Sequence, residues 1–112
     1  MTISNINDVL MLSSSNEELY KSAIKAWGES SQILMCVEEC AELQKNLLHE
    51  LRLKKTVRRE DILDELVDVQ IMIEQMRLVY RFSPLEFLEQ RAKKLKRLSL
   101  RIKEFEGADN AV

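Results

Sequence analysis

The chain is poor in the residues that interrupt helices: it has 2 glycines and 1 proline in 112 positions. Sheet-rich domains turn often, and turns draw on Gly and Pro. The scarcity argues against a strand-and-turn architecture and for long, uninterrupted helices. Histidine is scarcer still, His49 being the single one, so no His cluster supports a zinc site. No Ser–His–Asp, Cys–His or Gly-rich phosphate-loop pattern is visible. The two cysteines, Cys36 and Cys40, stand one helical turn apart and read as reduced core thiols rather than a disulfide framework. No apolar run is long enough to span a membrane, and the N-terminus lacks the basic, apolar, small-residue order of a signal peptide. The expectation is a cytoplasmic protein with no membrane partner. A net charge of −2 gives no general attraction to nucleic acid.

What is present is charge and periodic apolar residues: 32% charged and 46% hydrophobic. The length suits a single domain over 1–112 with one modest core at about 16–106. Residues 1–14 read as an arm or short helix, and 107–112 as a tail. Ser15-Asn-Glu-Glu18 has capping-box spacing, which predicts a first helix from about Asn16 to Trp27. Leu19, Tyr20, Ala23, Ile24 and Trp27 form its apolar side, and Gly28 is its stop. A second helix is expected at about Ser30–Leu51, with Ile33, Val37, Cys40, Ala41, Leu47, Leu48 and Leu51 at three- and four-residue steps. A third is expected at about Glu60–Tyr80. Its second half carries Val69, Ile71, Met72, Ile73, Met76, Leu78 and Val79 on almost every side. A helix apolar all round is buried all round, and a chain this short cannot surround it alone, so a subunit interface is expected there. Ser83-Pro84-Leu-Glu86 signals the fourth helix, with Ser at the N-cap, Pro first and Glu at N3. That helix should run to about Glu106 with Gly107 as its stop. Leu85, Leu88, Ala92, Leu95, Leu98, Ile102 and Phe105 give it a coiled-coil-like seam. The fold class is therefore all-α, a bundle of four to five helices.

Two acidic stretches carry the chemistry. Glu38, Glu39 and Glu42 lie on the second helix, and Glu65 and Asp68 on the third. Residues three or four apart share a helix face, so Glu38 and Glu39 both neighbour Glu42, and Glu65 neighbours Asp68. Apolar neighbours place these groups at the edge of a core. Two like charges about 4 Å apart repel by on the order of 4 kcal/mol at an effective dielectric of about 20. A hard divalent cation removes that repulsion, and Mg²⁺ is the usual one at phosphate-handling sites. On spacing alone the face reads either as this kind of metal site or as a solvated surface. Asp68 tilts the reading towards metal, because Asp is a poor interior helix residue and here it sits between Val67 and Val69.

Basic residues gather in two places. Residues 52–59 read as charge balance at the end of the second helix or as a loop that touches phosphate. Lys94, Arg97 and Arg101 follow one edge of the fourth-helix seam, either as snorkelling side chains or as a phosphate-facing row.

Glu38-Glu-x-x-Glu42 followed by Glu65-x-x-Asp68 resembles the EExxE…ExxD signature of the MazG-like all-α nucleoside triphosphate pyrophosphohydrolases. The resemblance extends over about 16–105, through Ala26-Trp-Gly28, Gln32, Glu38-Glu-Cys-Ala-Glu-Leu43, Asp64-Glu-Leu-Val-Asp-Val69, Glu74-Gln75 and Lys94-Leu-Lys-Arg-Leu98. It implies hydrolysis of a nucleoside triphosphate to the monophosphate and pyrophosphate, in the manner of a house-cleaning enzyme. It further implies Mg²⁺, with Mn²⁺ as a substitute, held by Glu39, Glu42, Glu65 and Asp68. Glu38 would support the metal ligands from behind or orient water, and Lys94, Arg97 and Arg101 would contact phosphate. Assembly as a homodimer or homotetramer is implied too. Trp27 or Gln32 is expected to line the base pocket, although Trp27 also reads as a core residue. The rival expectations are a dUTP- or dCTP-selective pyrophosphatase, a non-catalytic helical oligomer that binds nucleotide, and an interaction protein whose acidic face is only solvated.

Overall fold

The computed structural model describes the backbone at 6–52 and 57–110 and the side chains at 16–52 and 57–108. Four helices follow in order: α1 Ile6–Trp27, α2 Glu29–Leu51, α3 Arg59–Val79 and α4 Pro84–Asn110. No strand occurs among the described residues, as the shortage of Gly and Pro predicts.

Two boundaries differ from expectation. α1 begins at Ile6, so residues 6–14, expected to form an arm or a separate short helix, belong to α1 and Ser15 is interior to it; residues 1–5 of that stretch lie outside the described residues. A capping box stops a helix only where the Ser backbone leaves helical dihedrals. Neither Gly nor Pro occurs between Ile6 and Trp27 to force that departure. α4 passes through Gly107 to Asn110. One glycine weakens a helix by about 1 kcal/mol, and it ends one only when its backbone turns left-handed; of the two glycines, only Gly28 has positive φ.

Gly28 does break the chain. Its φ is +91°, a conformation that a Cβ strains. Its N–H donates to the Ile24 carbonyl at 2.7 Å and its carbonyl accepts from Gln32 N–H at 3.2 Å, so a single residue closes α1 and opens α2. Two residues past α3, Arg81 has φ +60° and its N–H donates to the Leu78 carbonyl. The capping box of α4 forms as read. Ser83 N–H donates to Glu86 Oε2 at 2.6 Å, and Glu86 N–H donates to Ser83 Oγ at 3.1 Å.

The chain divides into two compact units, Met1–Arg81 and Phe82–Val112. In the first, α2 and α3 form the principal packing and α1 lies against both. Arg81 pairs with Glu29 at 3.7 Å, while Asp68 meets Glu39. Numbers rise on α2 as they fall on α3, so the two helices are antiparallel. Tyr20 anchors α1 by donating its hydroxyl to Glu74 of α3, and Glu17 pairs with Arg77 at 3.7 Å. The buried apolar residues among those described are Tyr20, Met72 and Val79, accompanied by Gln32 and Gln75. Much apolar surface stays open in this unit: Leu34, Val37, Leu63 and Ile73 are exposed. Of the apolar run on α3, Met72 and Val79 are buried while Ile71 and Ile73 face outward.

The second unit is α4 with its lead-in. Leu95, Leu98, Ile102 and Phe105 of its seam are exposed.

Candidate functional site

The acidic residues expected to bind metal come from α2 and α3, the pair that packs most closely. Each helix presents its carboxylates one turn apart, and the antiparallel register sets Glu39 opposite Asp68. Glu39, Glu65 and Asp68 each offer a carboxylate oxygen, and these oxygens lie within 4.8 Å of one another. Glu39 and Glu65 are half-buried and Asp68 is exposed, so the cluster sits where the helix pair opens to solvent. Glu42 is exposed beside it, and its charge acts on both Glu39 and Glu65. Glu38 is exposed on α2 and lies outside the three-carboxylate group.

The electrostatics are those of an uncompensated anionic site. Burial, then the repulsion of Asp68, Glu65 and Glu42, raises the Glu39 carboxyl above its ordinary 4.5, and a hydrogen bond with Asp68 adds to the rise. Burial also raises Glu65, followed by repulsion from Asp68, Glu42, Asp64 and Asp61. Glu65 Oε2 is buried and has no hydrogen-bond partner. A buried carboxylate oxygen without a donor is disfavoured. The donor set is hard oxygen from carboxylates, with an open side for water or phosphate, which is what Mg²⁺ accepts.

The other expected site residues are distributed differently. Gln32 is buried, at 4% exposure, whereas Trp27 is 68% exposed. The expectation of Trp27 as a core residue fails within the chain. Tyr20 makes the buried contact of α1, and Trp27 stands seven residues further on, about 10 Å along the helix, just before the chain turns at Gly28. Lys94, Arg97 and Arg101 lie on α4, all exposed, and their steps of three and four give them one helix face. Of the basic stretch 52–59, residues 53–56 lie outside the described residues. Arg58 precedes α3 and binds Asp61, with Nη2 at 3.1 Å from Oδ1, which lowers the Asp61 carboxyl. Cys36 and Cys40 are free thiols, and burial raises Cys36.

Sequence reasoning assigned no role to the polar pair Glu74 and Gln75. Gln75 is buried, at 6% exposure, and its Oε1 lacks a partner. The signal was present: Glu74 and Gln75 stand side by side within the apolar run from Val69 to Val79. No helix among the described residues is long and apolar enough to cross a membrane. No family model, no curated protein and no solved structure matches the chain.

Proposed function

We propose that the chain is a Mg²⁺-dependent nucleoside triphosphate pyrophosphohydrolase that cleaves between the α- and β-phosphates. The observation that supports this best is the convergence of Glu39, Glu65 and Asp68 from two helices, with Glu65 Oε2 buried and unpartnered. Packing requires no such convergence, and a fully solvated face would leave Glu65 Oε2 in water. Glu39, Glu42, Glu65 and Asp68 would hold the ion. When bound, Mg²⁺ supplies charge neutralisation at phosphate oxygens. Glu38, beside Glu39 in the chain, is the residue proposed to orient the attacking water and accept its proton.

The assembly proposed is a homodimer or a dimer of dimers. Leu34, Val37, Leu63 and Ile73 are too much exposed apolar surface for a free monomer.

Incubation with Mg²⁺ and a panel of nucleoside triphosphates, followed by product analysis, tests the activity. Monophosphate and pyrophosphate should form in equal amounts and vanish with chelator. Release of orthophosphate would contradict the proposal, and binding without turnover would favour a non-catalytic nucleotide-binding oligomer.

A further inference from the structure

A groove of about 340 Å³ runs along α2 where α3 meets it. Its lining carries three sulfur-bearing side chains: Cys36 and Cys40 from successive turns of α2, and Met76 from α3. All three residues are half-buried, so the groove shelters them without sealing them off. Ile33, Val37 and Ala41 supply apolar wall. Both cysteines are free, and a hydrogen bond joins their thiols.

Two reactions are open to paired thiols, and the helix disfavours one of them. Residues one helical turn apart hold their Cβ atoms about 5–6 Å apart, whereas a disulfide needs about 3.5–4.5 Å. α2 is continuous from Glu29 to Leu51, so closing that bond would unwind a turn. Sharing one ion between the sulfurs requires no such change of backbone.

The donor set selects the ion. Thiolate and thioether are soft ligands and favour soft cations such as Cu(I). Structural Zn²⁺ closes its shell with four N or S ligands. No histidine is among the described residues that line the groove, and Gln44 there is a neutral amide. Mg²⁺ takes oxygen, so the carboxylate cluster of Glu39, Glu65 and Asp68 does not compete for the same ion. Methionine is unbranched and adaptable, which lets Met76 close on an ion held by the two cysteines.

We infer that Cys36, Cys40 and Met76 form a binding site for one Cu(I) ion, held as a bis-thiolate with the thioether as third ligand. Binding exchanges no electron. One Cu⁺ and two thiols give a complex of charge −1 and release two protons to solvent. The inference makes no use of the pyrophosphohydrolase reading, and either can fail alone.

The full-length chain, reduced and kept free of oxygen, is titrated with Cu(I) against a chromophoric Cu(I) chelator. One ion should bind per chain, with an ultraviolet thiolate-to-copper charge-transfer band and both thiols protected from alkylation. Cys36→Ser and Cys40→Ser should each weaken binding by about a hundredfold or more and abolish the band. Met76→Leu, similar in shape, should weaken binding by about tenfold. In the wild type the Met76 methyl resonance should shift on loading, a readout that stands should a variant melt. Zn²⁺ should fail to displace the copper. Wild-type affinity in any of the three variants, one ion shared between two chains, displacement by Zn²⁺, or an unmoved Met76 methyl would overturn the site.

Discussion

Two of the carboxyls that carry the reading, Glu39 and Glu65, are raised by burial and by the charges beside them. For Glu39 and Glu65 the folded value is raised from 4.5. Between the unfolded value and the raised one, the native state binds more protons than the unfolded state, so stability falls as pH rises through that window. Without metal, the melting temperature should therefore decline as pH increases from about 4.5, and Glu39→Gln should flatten the decline. Thermal melts in chelator over that range decide this, and a profile that is flat in the wild type would remove the electrostatic basis of the site. Asp68→Asn and Glu42→Gln keep shape and remove one charge each. Activity should fall by orders of magnitude while stability without metal holds or rises. In the wild type Mg²⁺ should raise the melting temperature with concentration, because it binds the folded state, and both variants should lose most of that gain. Lys94→Ala and Arg97→Ala should weaken triphosphate binding while leaving the Mg²⁺-linked stabilisation intact. Wild-type kinetics in both would make them surface charges.

At the scale of elements, the two glycines have opposite meanings. Gly28 has φ +91° and closes α1 against α2. Gly107 is interior to α4, with nothing within 4 Å of an added Cβ. Gly28→Ala should destabilise by about 1 kcal/mol or more, through strain at positive φ. Gly107→Ala should stabilise by roughly 0.5–1 kcal/mol, through helix propensity and lost unfolded-state freedom. Urea titration of each variant gives both signs. If Gly107→Ala weakened the protein, the C-terminal turn of α4 would not be helical in solution. The capping boxes teach the same lesson about context. Ser83 and Glu86 satisfy each other's N–H groups because the chain before them is non-helical. Ser15 has the same spacing to Glu18 and starts nothing, because α1 already runs through it.

At the scale of the molecule, the first unit leaves several large apolar side chains open, Leu34, Val37, Leu63 and Ile73 among them. Met72 and Val79 are buried against the other helices of the first unit, yet Ile73, between them in sequence, is 43% exposed. Ile73→Glu should therefore act on assembly rather than on the fold of the chain, by placing a charge without a partner in the proposed interface. Sedimentation should show the wild type as a dimer or tetramer at micromolar concentration and the variant shifted to smaller species. A stable wild-type monomer there would refute the assembly. That experiment also separates surface covered by a second copy from surface exposed for its own sake.

The sequence alone determined what depends on near neighbours. The helices at about 16–27, 30–51, 60–80 and 84–106, the turn at Gly28, the Ser83 cap and the pairing of acidic residues within each helix all follow from the fixed 100° step and local hydrogen bonding. Tertiary structure decided what depends on residues far apart in the chain. Helical periodicity gives each carboxylate a bearing on its own helix, but only the register of α2 against α3 brings Glu39 to Glu65 and Asp68. The same holds for Tyr20 and Glu74, 54 positions apart, and for the burial of Gln75 beside them. Trp27 shows the limit from the other side. Its place on the apolar stripe of α1 is readable, but whether a stripe is covered depends on where the next helix lies, and no local rule states that.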